Sequence, residues 1–116
     1  MERRSFEPGD YLFREGDTSR ELYMLLSGEV QVVKLGKVIA TVTENGAFLG
    51  EMSFLLEKPR VASVYVSQPS EFMVVDDPGA LVESQPMIMI RMARVIAQRL
   101  DDLEERLLAH RRQQAQ

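Results

Sequence analysis

The chain contains no cysteine, no tryptophan and only one histidine, His110. Without thiols there are no disulfides, thiolate metal sites or cysteine nucleophiles. A lone imidazole near the chain end leaves no set of histidines to converge on a transition metal. It also leaves no base for a serine-histidine-aspartate arrangement in the preceding residues. No apolar run approaches the roughly 18–20 residues of a membrane-spanning helix. The segment Met1-Glu2-Arg3-Arg4-Ser5-Phe6 has no apolar stretch behind its basic residues, so no secretory signal is expected. These absences set the expectation of a cytoplasmic, non-catalytic chain that needs no metal or cofactor and makes no membrane contact.

At 116 residues and 45% hydrophobic content, the chain suits one globular domain with one core. The net charge of −4 is unevenly spread: residues 1–90 hold 8 Lys/Arg against 14 Asp/Glu, and residues 91–116 hold 6 against 4. An acidic body argues against a nucleic-acid partner, whose affinity is dominated by phosphate contacts. Any anion must then be held by a local site, because the global field repels it.

The first two-thirds reads as strands. Pro8-Gly9-Asp10 and Glu15-Gly16-Asp17 are turn signals flanking Tyr11-Leu12-Phe13. Glu21–Leu26 reads as a strand, Ser27-Gly28-Glu29 as a turn, and Val30–Leu35 as a half-buried strand. Gly36-Lys37 is the expected two-residue II′ hairpin loop before Val38–Val42. Asn45-Gly46 turns again, and Ser63–Val66 and Glu71–Val75 are further strands. Short strands at this spacing suggest a sandwich or barrel. Asp76-Asp77-Pro78-Gly79 ends the β region, a short helix is expected from Pro78 to about Glu83, and Gln85-Pro86 opens a long helix. The final Gln113-Gln114-Ala115-Gln116 is expected to fray.

Polar recognition concentrates in Phe48-Leu49-Gly50-Glu51-Met52-Ser53 and, ten residues after the glycine, Pro59-Arg60-Val61-Ala62-Ser63. Gly50 lets a backbone approach a ligand at positive φ. Glu51 can accept from a hydroxyl. Met52 and Ser53 begin a helical turn with unpaired N–H groups. Arg60 is a fork-shaped cation, and Pro59 restricts Lys58 to extended geometry. Taken singly, these are a turn glycine, a solvated carboxylate and a surface charge; together they suit a small hydroxylated anion.

This pair of motifs resembles the phosphate-binding cassette of cyclic-nucleotide-binding domains, the family of the catabolite activator protein, the cyclic-AMP-dependent kinase regulatory subunits and cyclic-nucleotide-gated channels. The likeness extends through Phe6–Asp10, Glu15–Asp17 and Leu22–Val30 and covers roughly residues 5–105. It implies a mainly β fold with α: an antiparallel β-roll or jelly roll of about eight strands, flanked by a short N-terminal segment and C-terminal helices. The β-roll would span residues 1–85 with the cassette at 48–63, and residues 86–113 would form the C-terminal helix or helices of the same domain. The implied ligand-binding residues are Gly50, Glu51, Met52, Ser53, Arg60, Val61 and Ala62. Glu51 would take a ribose 2′-hydroxyl, Arg60 the cyclic phosphate, and Val61 and Ala62 would offer backbone N–H groups. Family members favouring cyclic GMP often carry a hydroxyl after the arginine; Val61 has none, which favours cyclic AMP. The alternative is a domain that keeps the fold, no longer binds nucleotide and serves as a dimerisation or interaction module.

Met89, Ala93, Ile96, Leu100, Leu103, Leu107 and His110 recur at alternating steps of four and three, a heptad seam. The seam either packs on its own domain or, as the resemblance suggests, joins two copies through Ile96, Leu100, Leu103 and Leu107. Leu100, Leu103 and Leu107 are also the apolar candidates for the lid that in this family covers the purine. The regulated effector, a domain or subunit, is expected outside this chain.

Overall fold

A computed structural model describes residues 1–114. Its strands are β1 (Glu2–Phe6), β2 (Tyr11–Phe13), β3 (Leu22–Lys34), β4 (Lys37–Val42), β5 (Phe48–Leu49) and β6 (Ser63–Val75). The helices are α1 (Glu51–Leu56), α2 (Pro78–Ser84) and α3 (Met87–Gln114). Gln113 and Gln114 are therefore helical, while Ala115 and Gln116 lie outside the described residues. All pairings are antiparallel, in the order β1-β6-β3-β4, with β2 also on β6 and β5 on β3. Among the described residues no helix is long and apolar enough to cross a membrane.

Six strands form among the described residues where about eight were expected. The reason lies at Gly28. Ser27-Gly28-Glu29 does not turn the chain; it is a bulge within one continuous strand, with register shifts against β6 on both sides. Between the pairs Leu25↔Phe72 and Val30↔Val66, β3 advances five residues and β6 six, which moves the inward face of β3 from odd positions (Tyr23, Leu25) to even ones (Val30, Val32). Opposite it, β6 runs unbroken through Gln68-Pro69, with Val64, Val66, Ser70, Phe72 and Val74 all facing inward at period two. The Glu29 amide bonds to the Ser70 hydroxyl (3.0 Å), which itself donates to the Gln68 carbonyl (2.7 Å). The buried hydroxyl thus serves backbone groups that the bulge takes out of the ladder.

One other expectation shifts. The β3–β4 hairpin turns on Leu35-Gly36, not on Gly36-Lys37: both residues have positive φ (51° and 76°) and Lys34 pairs with Lys37. That is the I′ pattern, whose twist matches the flanking strands. The short N-terminal segment is an edge strand, paired from Glu2↔Val74 to Phe6↔Ser70.

The core has two parts. Leu25, Val30, Val66, Phe72 and Val74 are fully buried in the first cluster. Leu22, Phe48, Val75 and Met92 form a second cluster, against which Leu81, Ile88 and Val95 pack the C-terminal helices. The α2 N-terminus is capped by the Asp77 carboxylate, which accepts from the Ala80 amide (3.1 Å), with Pro78 in its first turn.

Candidate functional site

The chain reaches Gly50 in the left-handed region, at φ 93°. A Cβ there would lie 2.5 Å from Arg60 Nη1 and 3.0 Å from the Glu21 carbonyl oxygen, so only glycine fits. Gly50 is also the N-cap of α1 and has no side chain to cap it, which leaves the first-turn amides without an intrahelical acceptor. At the other end of α1, Arg20 Nη1 donates to the carbonyls of Ser53 (2.6 Å) and Lys58 (2.8 Å). A cation thus meets the negative end of the helix.

Arg60 is held from both sides. Its backbone pairs with the Glu15-Gly16-Asp17 turn: its amide donates to the Asp17 carbonyl and its carbonyl accepts from the Gly16 amide, both at 2.8 Å. Asp17 shapes that turn by accepting from the Arg14 amide (2.9 Å). Only 2% of Arg60 is exposed. Nη1 donates to the Gly50 carbonyl (3.1 Å) and Ser53 Oγ (2.5 Å), Nη2 to the Glu21 carbonyl (2.7 Å), and Nε to Ser19 Oγ (3.2 Å). The Phe13 ring lies 4.0 Å from the guanidinium carbon. Burial pushes the Arg60 pKa down from its ordinary value, and the Glu21 carboxylate, 3.6 Å from Nη2, opposes that shift.

Glu51 opens α1 and is 7% exposed. Its partner comes from the far end of the chain: Arg99 of α3 donates to Glu51 Oε1 (2.6 Å) and to the Phe48 carbonyl (3.1 Å). Nothing in the local pattern marks Arg99, one of 6 Lys/Arg after residue 90. Its only signal is its place beside Leu100, one step around the helix from the expected lid positions.

These groups surround one pocket of about 250 Å³. Gly50, Glu51, Met52, Ser53, Arg60, Val61 and Ala62 all line it, together with Arg99. Phe13, Val32, Val42 and Val64 supply an apolar wall. A carboxylate acceptor, a guanidinium and a glycine-capped helical turn share this space, which suits a small anion with a hydroxyl and an apolar portion. Leu100, Leu103 and Leu107 do not line it; they are 51–55% exposed. The heptad stripe does not pack on its own domain either, because Met92, Ile88 and Val95 make that contact.

Residues 3–82 match the cyclic nucleotide-binding domain family. The cyclic AMP receptor protein of Thermus thermophilus is 33% identical over 117 residues, covering 94% of this chain and 54% of that protein. The human potassium/sodium hyperpolarization-activated cyclic nucleotide-gated channel 4 is 30% identical over 110 residues, covering 91% of this chain and 9% of the channel. The chain thus spans a small fraction of the channel and about half of the receptor protein. Among solved structures, a cyclic nucleotide-binding domain from Methylobacillus flagellatus superposes with a TM-score of 0.79 at 31% identity, over 91% of this chain and 65% of that one. The Thermus thermophilus catabolite activator protein gives 0.73 at 32% identity, over 93% and 55%. The antiparallel sheet followed by C-terminal helices matches that fold, and the chain belongs to the cyclic nucleotide-binding domain family.

Proposed function

We propose that this chain is a sensor that binds cyclic AMP in preference to cyclic GMP, rather than a catalyst, and reports occupancy through α2 and α3. The observation that carries the reading is the gathering of Gly50, Glu51 and Arg60 around one pocket beside the open first turn of α1. Arg60 turns N–H groups now bonded to Gly50 and Ser53 toward the cyclic phosphate as charge-assisted donors, Glu51 offers an acceptor for the ribose hydroxyl, and the apolar wall a surface for the base. Val61 offers a guanine no hydroxyl, which supports the adenine preference. His110, the one imidazole, sits on the exposed far part of α3, paired with Gln114, which supports binding without catalysis. Titration calorimetry with both nucleotides tests the reading. Binding of cyclic AMP more tightly than cyclic GMP is expected. Absence of heat and of thermal shift with either at millimolar concentration would leave the interaction module as the surviving function.

The route to the helices runs through Phe48. It opens the cassette and packs with Met92 of α3, so a cassette that closes on ligand pulls on the point where α3 is anchored. The position of α3 is then the output, biased by differential affinity of the ligand for two helix arrangements. Beyond that anchor, the 28-residue helix (about 42 Å long at 1.5 Å per residue) leaves Ile96, Leu100, Leu103 and Leu107 exposed along one stripe. A second copy of the chain is the partner proposed for it. Sedimentation equilibrium is expected to give a dimer mass for the parent and a monomer mass for Leu103→Glu, because two facing carboxylates cannot share an apolar seam. A variant that keeps the parent's mass would remove the seam as an interface.

A further inference from the structure

The Arg60 guanidinium has two edges with different partners. Nε donates to Ser19 Oγ (3.2 Å) and Nη2 to the Glu21 carbonyl (2.7 Å), with the Glu21 carboxylate 3.6 Å from Nη2. Neither Ser19 nor Glu21 lines the pocket. Nη1 belongs to the pocket side: it donates to the Gly50 carbonyl (3.1 Å) and to Ser53 Oγ (2.5 Å), and both residues line the pocket. Two acceptors use both hydrogens of Nη1, so it has none left for a ligand while those bonds stand. The acceptors it would leave are already provided for. The Gly50 carbonyl also accepts from the Ser53 hydroxyl (3.1 Å) and from the Phe54 amide (3.4 Å), so it keeps partners when Nη1 turns away. Ser53 Oγ keeps its own donor bond to that carbonyl and loses only what it accepts.

We infer that the Ser53 hydroxyl is a placeholder for the ligand's phosphate and so sets how tightly a cyclic nucleotide binds: it accepts from Arg60 Nη1 in the ligand-free protein and gives that donor up to a phosphate oxygen. This rests on the cyclic-nucleotide reading of the pocket. The Nε–Nη2 edge stays on Ser19 and Glu21 throughout, which keeps the cation at the site while Nη1 changes partner. What the phosphate gains at Nη1 is then the difference between two charge-assisted bonds, not the whole of one. Alanine at position 53 removes the first of those bonds and leaves the second. Ser53 and Arg60 are each only 2% exposed. In the ligand-free alanine variant, one Nη1 hydrogen is therefore left without an acceptor where burial makes that costly, and a phosphate oxygen relieves the cost.

Calorimetry on the parent and on Ser53→Ala, with cyclic AMP and 2′-deoxy cyclic AMP as probes, tests the placeholder. Ser53→Ala is expected to bind cyclic AMP about 3- to 10-fold more tightly, the net worth of one hydrogen bond. The 2′-deoxy nucleotide is expected to gain by the same factor, because the exchange takes place at the phosphate and leaves Glu51 out. Urea unfolding of the ligand-free proteins should show Ser53→Ala less stable than the parent, since the lost bond is one the ligand-free state makes. In the parent, NMR of the arginine side chains should show the Arg60 Nε hydrogen protected from exchange with and without cyclic AMP, while the Nη1 signals shift on binding. Weaker binding of cyclic AMP by Ser53→Ala would make the hydroxyl a ligand contact, and unchanged binding would mean that Arg60 keeps Ser53 in the complex; either overturns the placeholder. A gain for cyclic AMP that the 2′-deoxy nucleotide does not share would move the effect to the ribose and overturn it as well. Failure of parent and variant alike to bind either nucleotide would instead remove the cyclic-nucleotide reading, and the placeholder with it.

Discussion

Replacing Arg60 with alanine is expected to destabilise the domain by about 3–5 kcal/mol and to abolish nucleotide binding. The two losses have one source. The guanidinium is buried and donates to the carbonyls of Gly50 and Glu21 and to the hydroxyls of Ser19 and Ser53. Alanine leaves the two carbonyls without that donor, and it leaves a void beneath the Phe13 ring. Three chain segments far apart in sequence, around residues 19–21, 50–53 and 60, lose their common tie. Urea unfolding followed by circular dichroism reads the stability, and calorimetry reads the ligand. Arg60→Lys separates the roles: it keeps the charge but not the fork, so it should recover only part of either loss. An alanine variant as stable as the parent would mean the network is dispensable to the fold. One that still bound cyclic AMP at parental affinity would place the phosphate elsewhere.

The second large effect is expected at Gly28, outside the pocket. A Cβ there would lie 2.1 Å from Ser70 Oγ and 2.6 Å from both the Pro69 carbonyl oxygen and Ser70 Cα. Two of those three atoms are backbone, so no rotamer change relieves the clash. Gly28 also sits at φ 106°, where any side chain is strained. Gly28→Ala is expected to cost about 3 kcal/mol or more, lowering the melting temperature by roughly 12 °C or more for a domain of this size. Scanning calorimetry measures it. A shift of only a degree or two would mean that β3 and β6 can part at the bulge without loss. Gly50 meets a comparable obstacle in Arg60 Nη1 and the Glu21 carbonyl oxygen.

Much of the β body is legible in the sequence because its signal is local. Ser63–Val66 and Glu71–Val75 each alternate as read, and Pro8-Gly9-Asp10 and Glu15-Gly16-Asp17 both form tight turns closed by their aspartates. The bulge was not legible. Glycine at 28 and proline at 69 each read as strand breakers when taken alone. Placed across from one another in antiparallel strands, they form one irregularity that both strands pass through. The hairpin at Leu35-Gly36 was displaced by one residue for a related reason: leucine carries no turn signal, and only the pairing of Lys34 with Lys37 forces it to positive φ.

At the site, the residues from Gly50 to Ala62 that the family resemblance implied make up part of the pocket lining. Their partners were not so implied. Arg60 finds Glu21 across 39 positions and Glu51 finds Arg99 across 48. A charged residue on a helix or loop gives no local hint of which carboxylate or carbonyl it will meet. The heptad stripe shows the same division. Its period predicts an apolar face on α3, but the choice of Met92 over that stripe as the buried anchor depends on how α3 leaves α2 and meets Leu22, Phe48 and Val75. By itself, then, the sequence determined the strand alternation, the tight turns and the chemical kind of ligand the cassette suits. The tertiary structure alone decided that Arg60 is a buried tie as well as a cation, that Glu51 is shared with α3, and which helix face stays open. Those outcomes rest on contacts between residues tens of positions apart, and such contacts exist only once the chain has closed on itself.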